Sequence, residues 1–563
     1  MIKTLNRAWE AVSRFLPEVI LGLFCLSALP LLFVVGRSAV RQVIQLADDP
    51  AAYGRSLSQM PWAVAAAAVF VAGLAALAYI IWRNWSPIWA VGRKMIREAI
   101  NRKTVLVLLI FVAVLMPSLP FVLKTEGRLS SQVQLVLLYS LSLALVLLSL
   151  LAIFLTTASI CSEVENRHVY LTDPKPLLRW QFLMGKWVGT VVLCTVVLVV
   201  MASGTYGLVT YMAREPDYAR MSLQDAARAR KAQVELRQRV FTARKVIQAP
   251  LPDVSEKVDA AIQKKFEETD YGFSPYELRR ALVKDYRTKA LTAQPGGGKL
   301  LWRFTGLDPD RPEPIQVRFK AFNYGSGAIQ WPCRFTPYQG KKVEPEKEGE
   351  RPRLVLSRSG NMVRPPTSGW ASHTFHQFDL PAGTIGADGT LYLVFQNPGL
   401  ESIVFDVENP VEVLQKEGNF FLNYYRSVAV LVFQIALLAA LGLMAGSLFS
   451  FPVASLLVFC LFVGGLLGSW YHGQFIEPGR MVFIPSSTVY YLDQVWRGFA
   501  STILALMPSF STFSPLSSVV NGRMVTASDV TVAGAVVLVL KTGGAMLIGM
   551  YFYARKELAR IVV

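Results

Sequence analysis

The chain has 563 residues, of which 53% are apolar and 17% charged, and its mean hydropathy is +0.38. That balance excludes a soluble protein of this length and points to a membrane protein with several spans. The net charge of +18 fits basic flanks beside anionic lipid rather than nucleic-acid binding, because no Lys/Arg-rich tract with interleaved aromatics stands apart from the membrane flanks.

Eight apolar runs approach the roughly 20 residues that a ~30 Å hydrocarbon core requires. They cover residues 19–35, 62–82, 104–123, 132–157, 188–210, 427–448, 451–471 and 530–553. No signal peptide is expected, because no small-residue cleavage site follows the first run. Pro30, Pro117 and Pro120 predict kinks of a kind membrane helices tolerate. Lys3, Arg7 and Arg14 precede the first run, Arg83, Arg93, Lys94, Arg97, Arg102 and Lys103 follow the second, and Arg555, Lys556 and Arg560 follow the last. Placing these groups inside satisfies the positive-inside rule, although Arg37, Arg41 and Arg55 then fall outside. Both termini are expected in the cytoplasm, and the long polar segment 213–426 outside it. Residues 90–103 read as an amphipathic surface helix. Val91, Met95, Ile96, Ala99 and Ile100 lie on one side, and basic residues that can meet lipid headgroups lie on the other.

Between the fourth and fifth runs lies SEVENRHVYLTDPKPLLRWQFLMGKWVG, residues 162–189. Glu163 and Glu165 end one helix, Pro174 and Pro176 break the chain, and a second helix carries Arg179 and leads through Gly185-Lys186 into the bilayer. Such a loop suits docking and force transmission rather than catalysis. It resembles the membrane subunits of type-2 ABC exporters, which read E-x-E-x-G-T-L-x-L-L-x-x-x-P-x-x-R-x-x-x-x-x-G-K between their second and third spans. Glu163, Glu165, Leu171, Pro176, Arg179, Gly185 and Lys186 fall at the matching offsets without a gap. Arg167, His168, Val169 and Thr172 depart from the pattern.

The polar segment divides in two. Residues 222–246, 254–268 and 275–290 read as helices, rich in helix formers and poor in breakers. Pro295–Lys299 (PGGGK) is a linker and not a phosphate loop, because the spacing fails and Leu300 follows the lysine. From Leu300 the pattern alternates. Residues 315–322, 391–396 and 403–407 are strands, 351–356 and 370–380 are weaker candidates, and 341–353 is a charged loop, which together predict a β-sandwich. With 31 Lys/Arg against 26 Asp/Glu between Arg214 and Glu417, the segment is only mildly basic. Cys333 is its single cysteine, so no internal disulfide is expected there. A helix lying on or re-entering the outer leaflet is expected within residues 472–528.

Little in the chain suggests an enzyme. Lys541 sits near the middle of the last run, where an ionisable residue is costly, so it is a candidate to line a pathway or to pair helices. His373 and His376 are three apart on a strand and would face opposite ways. Trp370, Phe375 and Phe378 are either a sugar platform or sandwich core. No catalytic or metal-ligand arrangement and no Walker lysine is found.

The fold class expected is an α-helical polytopic membrane protein of about eight spans with an extracytoplasmic helical plus β-sandwich domain. Residues 1–89 form two extra spans, and 90–212 the surface helix and core spans one to three, with the coupling loop at 158–187. Residues 213–298 are helical, 299–420 the sandwich, and 421–563 core spans four to six. The resemblance implies the permease subunit of a bacterial inner-membrane exporter. It implies no cofactor bound directly, ATP and magnesium on a separate P-loop ATPase, and a second permease half, either identical or a sister chain. An envelope protein or glycan at the external domain and membrane lipid complete the expected partners, with no nucleic acid. The alternatives are a non-transporting anchor that displays a carbohydrate- or protein-binding sandwich, and a membrane enzyme acting on lipid-linked substrates.

Overall fold

The computed structural model describes residues 82–101, 129–165, 178–215, 222–268, 275–323, 334–343, 353–359, 375–407, 410–467 and 515–555, with isolated residues at 71–79 and 118. The expected spans at 19–35 and 104–123, nearly all of that at 62–82, and the expected outer-leaflet helix before residue 515 lie outside the described residues. The chain forms two compact units. One comprises residues 1–242, 419–476 and 496–563, and the other 243–418 and 477–495.

The first unit is helical. Its described helices are α1 (Trp85–Asn101), α2 (Leu129–Glu165), α3 (Arg179–Met212) and α4 (Leu223–Arg239). After the second unit come α7 (Phe420–Leu448), α8 (Phe451–Leu466), α9 (Pro515–Val520) and α10 (Ala527–Arg555). Four of these, α2, α3, α7 and α10, are long and apolar enough to cross a membrane. Helix α8, with 16 residues, is shorter than the run at 451–471 predicted. Helices α2 and α3 extend well past their apolar runs, because Ser, Glu, Gln and Arg at their ends continue the helical hydrogen bonding.

Helix α7 is the centre, with 89% of its most apolar window buried against 44% for α10. Lipid tails are as apolar as leucine, so helices in a bilayer associate through close contact and polar ties rather than by escape from water. Glycine provides the close contact here. A Cβ on Gly185 would stand 2.6 Å from Val91 Cβ, and one on Gly189 2.7 Å from the Gly92 carbonyl, so α1 meets α3 backbone to backbone. A Cβ on Gly446 would stand 3.5 Å from Thr157 Cα of α2, and one on Gly549 of α10 would stand 3.2 Å from Met444 Cα. The polar ties run from Trp187 Nε1 to the Ala436 carbonyl (2.9 Å) and from the Tyr424 hydroxyl to the Ala202 carbonyl (2.8 Å). They set α3 antiparallel to α7.

At the end where α3 finishes and α7 starts, Tyr206 packs with Phe420, Phe421, Tyr424 and Tyr425. The buried Asn423 amide donates to the Arg523 carbonyl (2.8 Å) and accepts from Val525 N–H (2.7 Å), which fixes the turn before α10. Thr526 then caps α10 by accepting from Asp529 N–H.

The second unit is a two-layer β structure with two helices. Strand β1 (Ala243–Gln248) precedes α5 (Ser255–Glu268) and α6 (Pro275–Ala290). Then follow β2 (Thr292–Ala293), β3 (Gly298–Phe304), β4 (Ile315–Asn323), β5 (Arg334–Val343) and β6 (Arg353–Arg358). The last four are β7 (Phe375–Leu380), β8 (Leu391–Asn397), β9 (Ile403–Phe405) and β10 (Val411–Gly418). One sheet runs β1-β10-β4-β9-β2 with β7 also on β4, the other β3-β8-β5-β6, and all described pairings are antiparallel. Their inner faces share one aromatic core. Phe335 packs on Phe319 and Phe378, and Phe405 on Trp302 and Phe395, with centroids 4.8–4.9 Å apart.

Three readings of this region change. The helix expected over residues 222–246 ends at Arg239, because β-branched Val246 and Ile247 pair across to β10. The loop expected from residue 341 is strand as far as Val343. PGGGK is a tight turn: Gly296 and Gly297 take φ of 74° and 109°, conformations open to glycine. The buried Asn397 amide holds that turn by donating to the Ala293 and Glu401 carbonyls.

The glycine seam makes a direct prediction. Gly185→Ala should lower stability by about 1–3 kcal/mol, as overpacking does. Gly543→Ala on α10, where a Cβ meets nothing within 4 Å, should cost nothing. Thermal unfolding of the two variants in the same detergent makes the comparison, and equal losses would contradict the seam.

Candidate functional site

The last turn of α2 carries Glu163, and the second turn of α3 carries Lys186. The polar stretch between the two helices therefore starts and finishes beside one ion pair. Lys186 Nζ lies 2.9 Å from Glu163 Oε2 and donates to the Ser159 carbonyl (2.8 Å) and the Ser159 hydroxyl (2.7 Å). An ammonium has three donors, and these three partners use all of them. The Phe182 ring lies 4.7 Å from the same nitrogen. The side chains of Lys186 and Glu163 are 3% and 12% exposed. Glu163 Oε1 accepts from Lys94 of α1 at 3.3 Å, and the Lys94 side chain is 61% exposed. One carboxylate thus joins three helices, with one cation inside and one in solvent.

The start of α3 is tied twice more. Gln181 accepts from Leu178 N–H at 3.1 Å and donates to Asn84 Oδ1 at 2.9 Å. Arg179 donates to the Ala554 carbonyl at 2.8 Å, satisfying an orphan acceptor in the last turn of α10. Phe182 stacks on Tyr553 below it. Cys161 of α2 reaches the Gly446 and Phe449 carbonyls where α7 turns into α8. The ends of α2, α7 and α10 and the start of α3 therefore gather at one pole of the helical unit, where Lys94, Arg179 and Arg555 also lie.

The seven motif residues fall into distinct positions. Glu163 and Lys186 face each other inside the bundle. Gly185 is where α3 touches α1. Arg179 binds α10. Glu165 ends α2, but its side chain, Leu171 and Pro176 lie outside the described residues. The sequence reading missed Ser159, Lys94, Gly92 and Gly189. Gly185-x-x-x-Gly189 was a visible signal for close helix contact, whereas nothing local marks Ser159 or Lys94 as a partner of Glu163.

Lys541 stands apart from this cluster. It ends a π-helical segment, Gly534–Lys541, and is half-buried. Its helix reaches Ala554 only after about 20 Å of further rise. The Thr542 hydroxyl donates to the Val537 carbonyl, five residues back, as the widened turn allows. In the β unit, Phe378 is buried on Phe335 while Phe375 faces outward under Arg318, 4.0 Å from its ring. These two rings sit on opposite sides of β7 and form no common platform. His376 packs against Phe319, and Trp370 and His373 lie outside the described residues. Among the described residues no cluster of three His, Cys, Asp or Glu side chains could hold a metal ion.

Removing one partner of a buried pair strands the other charge. Glu163→Gln should destabilise the protein by about 3–5 kcal/mol, and the double variant Glu163→Gln/Lys186→Met should recover most of that loss. Lys94→Ala should cost no more than about 1 kcal/mol, as for other solvent-screened pairs. Unfolding midpoints of the set form a double-mutant cycle, and additive losses would mean that Glu163 and Lys186 act independently. No family model, curated protein sequence or solved structure matches this chain.

Proposed function

We propose that the chain is the membrane subunit of an ATP-driven type-2 ABC exporter, in which a separate P-loop ATPase presses on the segment between Glu163 and Arg179. One observation carries the reading: both ends of that segment are anchored to the same pole of the bundle by the Lys186–Glu163–Lys94 cluster and the Arg179–Ala554 bond. A displacement of the segment therefore acts on α1, α2, α3 and α10 together instead of being absorbed at one helix end. The ligand of such a device must favour one arrangement of the helices over the other, and nucleotide-driven closure of an ATPase pair supplies that difference.

In this reading the basic pole with Lys94, Arg179 and Arg555 faces the cytoplasm. Residues 213–426 are extracytoplasmic in this reading, as the positive-inside rule expects of a protein in a bacterial inner membrane. A second permease half, identical or a sister chain, completes the pathway, and ATP and magnesium stay on the ATPase. Lys541, on the least buried of the four long helices, is the candidate in this reading to line the pathway or to pair helices.

The test is co-purification from native membranes. The parent chain should retain a P-loop ATPase, and Leu171→Asp, in the segment itself, should lose it while unfolding at the parent's temperature. An ATPase retained by Leu171→Asp removes the docking role of the segment. If none is retained by either protein, the chain is an anchor for the β unit.

A further inference from the structure

Helix α10 is not one regular α-helix. Its middle, Gly534–Lys541, runs for eight residues as π-helix between α-helical ends at Ala527–Ala533 and Thr542–Arg555. The Thr542 N–H reaches back five residues to the Val537 carbonyl, and the Thr542 hydroxyl donates to the same oxygen at 2.8 Å. A π turn encloses one residue more than an α turn. The chain between the two α-helical ends therefore carries one residue of slack.

Both ends are held. At the start, Thr526 caps the helix through Asp529 N–H, and Asn423 binds Arg523 and Val525 just before it. At the finish, Gly549 lies against Met444, Tyr553 stacks on Phe182 with centroids 6.0 Å apart, and the Ala554 carbonyl accepts from Arg179. The stretch between these ties is less confined. Ala535 and Val537 are buried, but Leu540, Leu547 and Ile548 are exposed and Lys541 is half-buried. A Cβ on Gly543 or Gly544 would meet nothing within 4 Å. Gly73 faces the π segment with backbone alone, since a Cβ there would stand 2.6 Å from Val539 Cγ1. Glycine backbone also accepts a widened turn more readily than other residues.

We propose that the extra residue is mobile. The π turn passes from Gly534–Lys541 toward Gly543-Gly544 and back, and the residues it passes turn by about 100° and advance by about 1.5 Å, the geometry of one residue in an α-helix. Leu540 and Lys541 are among them, so the step re-aims the Lys541 side chain while both ends of α10 stay in place. A rotation of the whole helix would instead have to break the Arg179 bond and lift Gly549 from Met444. A shift between two discrete arrangements is how packed helices change state. The inference concerns α10 alone and holds whether or not an ATPase drives the step.

The test uses the full chain in lipid nanodiscs, with trifluoromethylphenylalanine in place of Leu540 in one sample and of Tyr551, close to the fixed end, in another. Fluorine NMR should show two exchanging resonances for the first label and one for the second. Deleting Leu538 removes the extra residue. That variant should unfold within about 2 °C of the parent, because both ends keep their register, and its label in place of Leu540 should give one resonance. Deleting Met550, between Gly549 and Tyr553, should lower the unfolding temperature by about 5 °C or more. A single resonance in the parent at the Leu540 position overturns the proposal. So do two resonances that persist after deletion of Leu538, or equal losses of stability from the two deletions.

Discussion

The helical unit depends on one buried charge being fully satisfied. Lys186 is surrounded by packed helix, and an ammonium there is tolerable only because Ser159 and Glu163 accept hydrogen bonds from all three of its N–H groups. That requirement fixes the rotation of α3 against α2, since the lysine must point at the last turns of the neighbouring helix. Gly185, immediately before it, then has to face α1, and no side chain fits there. The two adjacent residues thus do complementary work, one giving close approach and the other a directional bond. A third helix joins through Lys94, whose exposed ammonium shares the same carboxylate.

Acidic and basic residues at span ends are usually read as surface features that a partner touches. Here Glu163 and Lys186 are turned toward each other and spend their charge inside the bundle. The pair ties the last turn of α2 to α3 and, through Lys94, to α1. The Arg179 bond to Ala554 ties the start of α3 to α10, the helix that carries the π-helical turn and Lys541.

The β unit is organised by a different constraint. Its two sheets are held by ring-on-ring packing in which Phe335, Phe405 and Phe319 each reach across to the opposite layer or along their own. Burying those rings fixes which side of every strand faces in, and the same alternation gathers Lys299, Arg303, Arg334 and Arg358 on one outer surface. The charge pattern is thus a consequence of core packing combined with register.

The sequence by itself determined the element types wherever periodicity or hydropathy was strong. Four long apolar helices, the helix Pro275–Ala290 and the strands at Ile315, Leu391 and Ile403 follow from local pattern, because a run of apolar residues or a strict alternation leaves the backbone few choices. The motif positions Glu163, Gly185 and Lys186 were equally legible as a set. Only the tertiary structure decided their roles, since whether a charge meets water or another charge depends on which helix lies beside it. It also decided β1, β5 and β10, where charged and Gly- or Pro-containing segments become strands because a neighbouring strand accepts their hydrogen bonds. The rows of cations on the outer sheet face exist only once register is set, because residues as distant in the chain as Lys299, Arg334 and Arg358 share a surface through pairing alone.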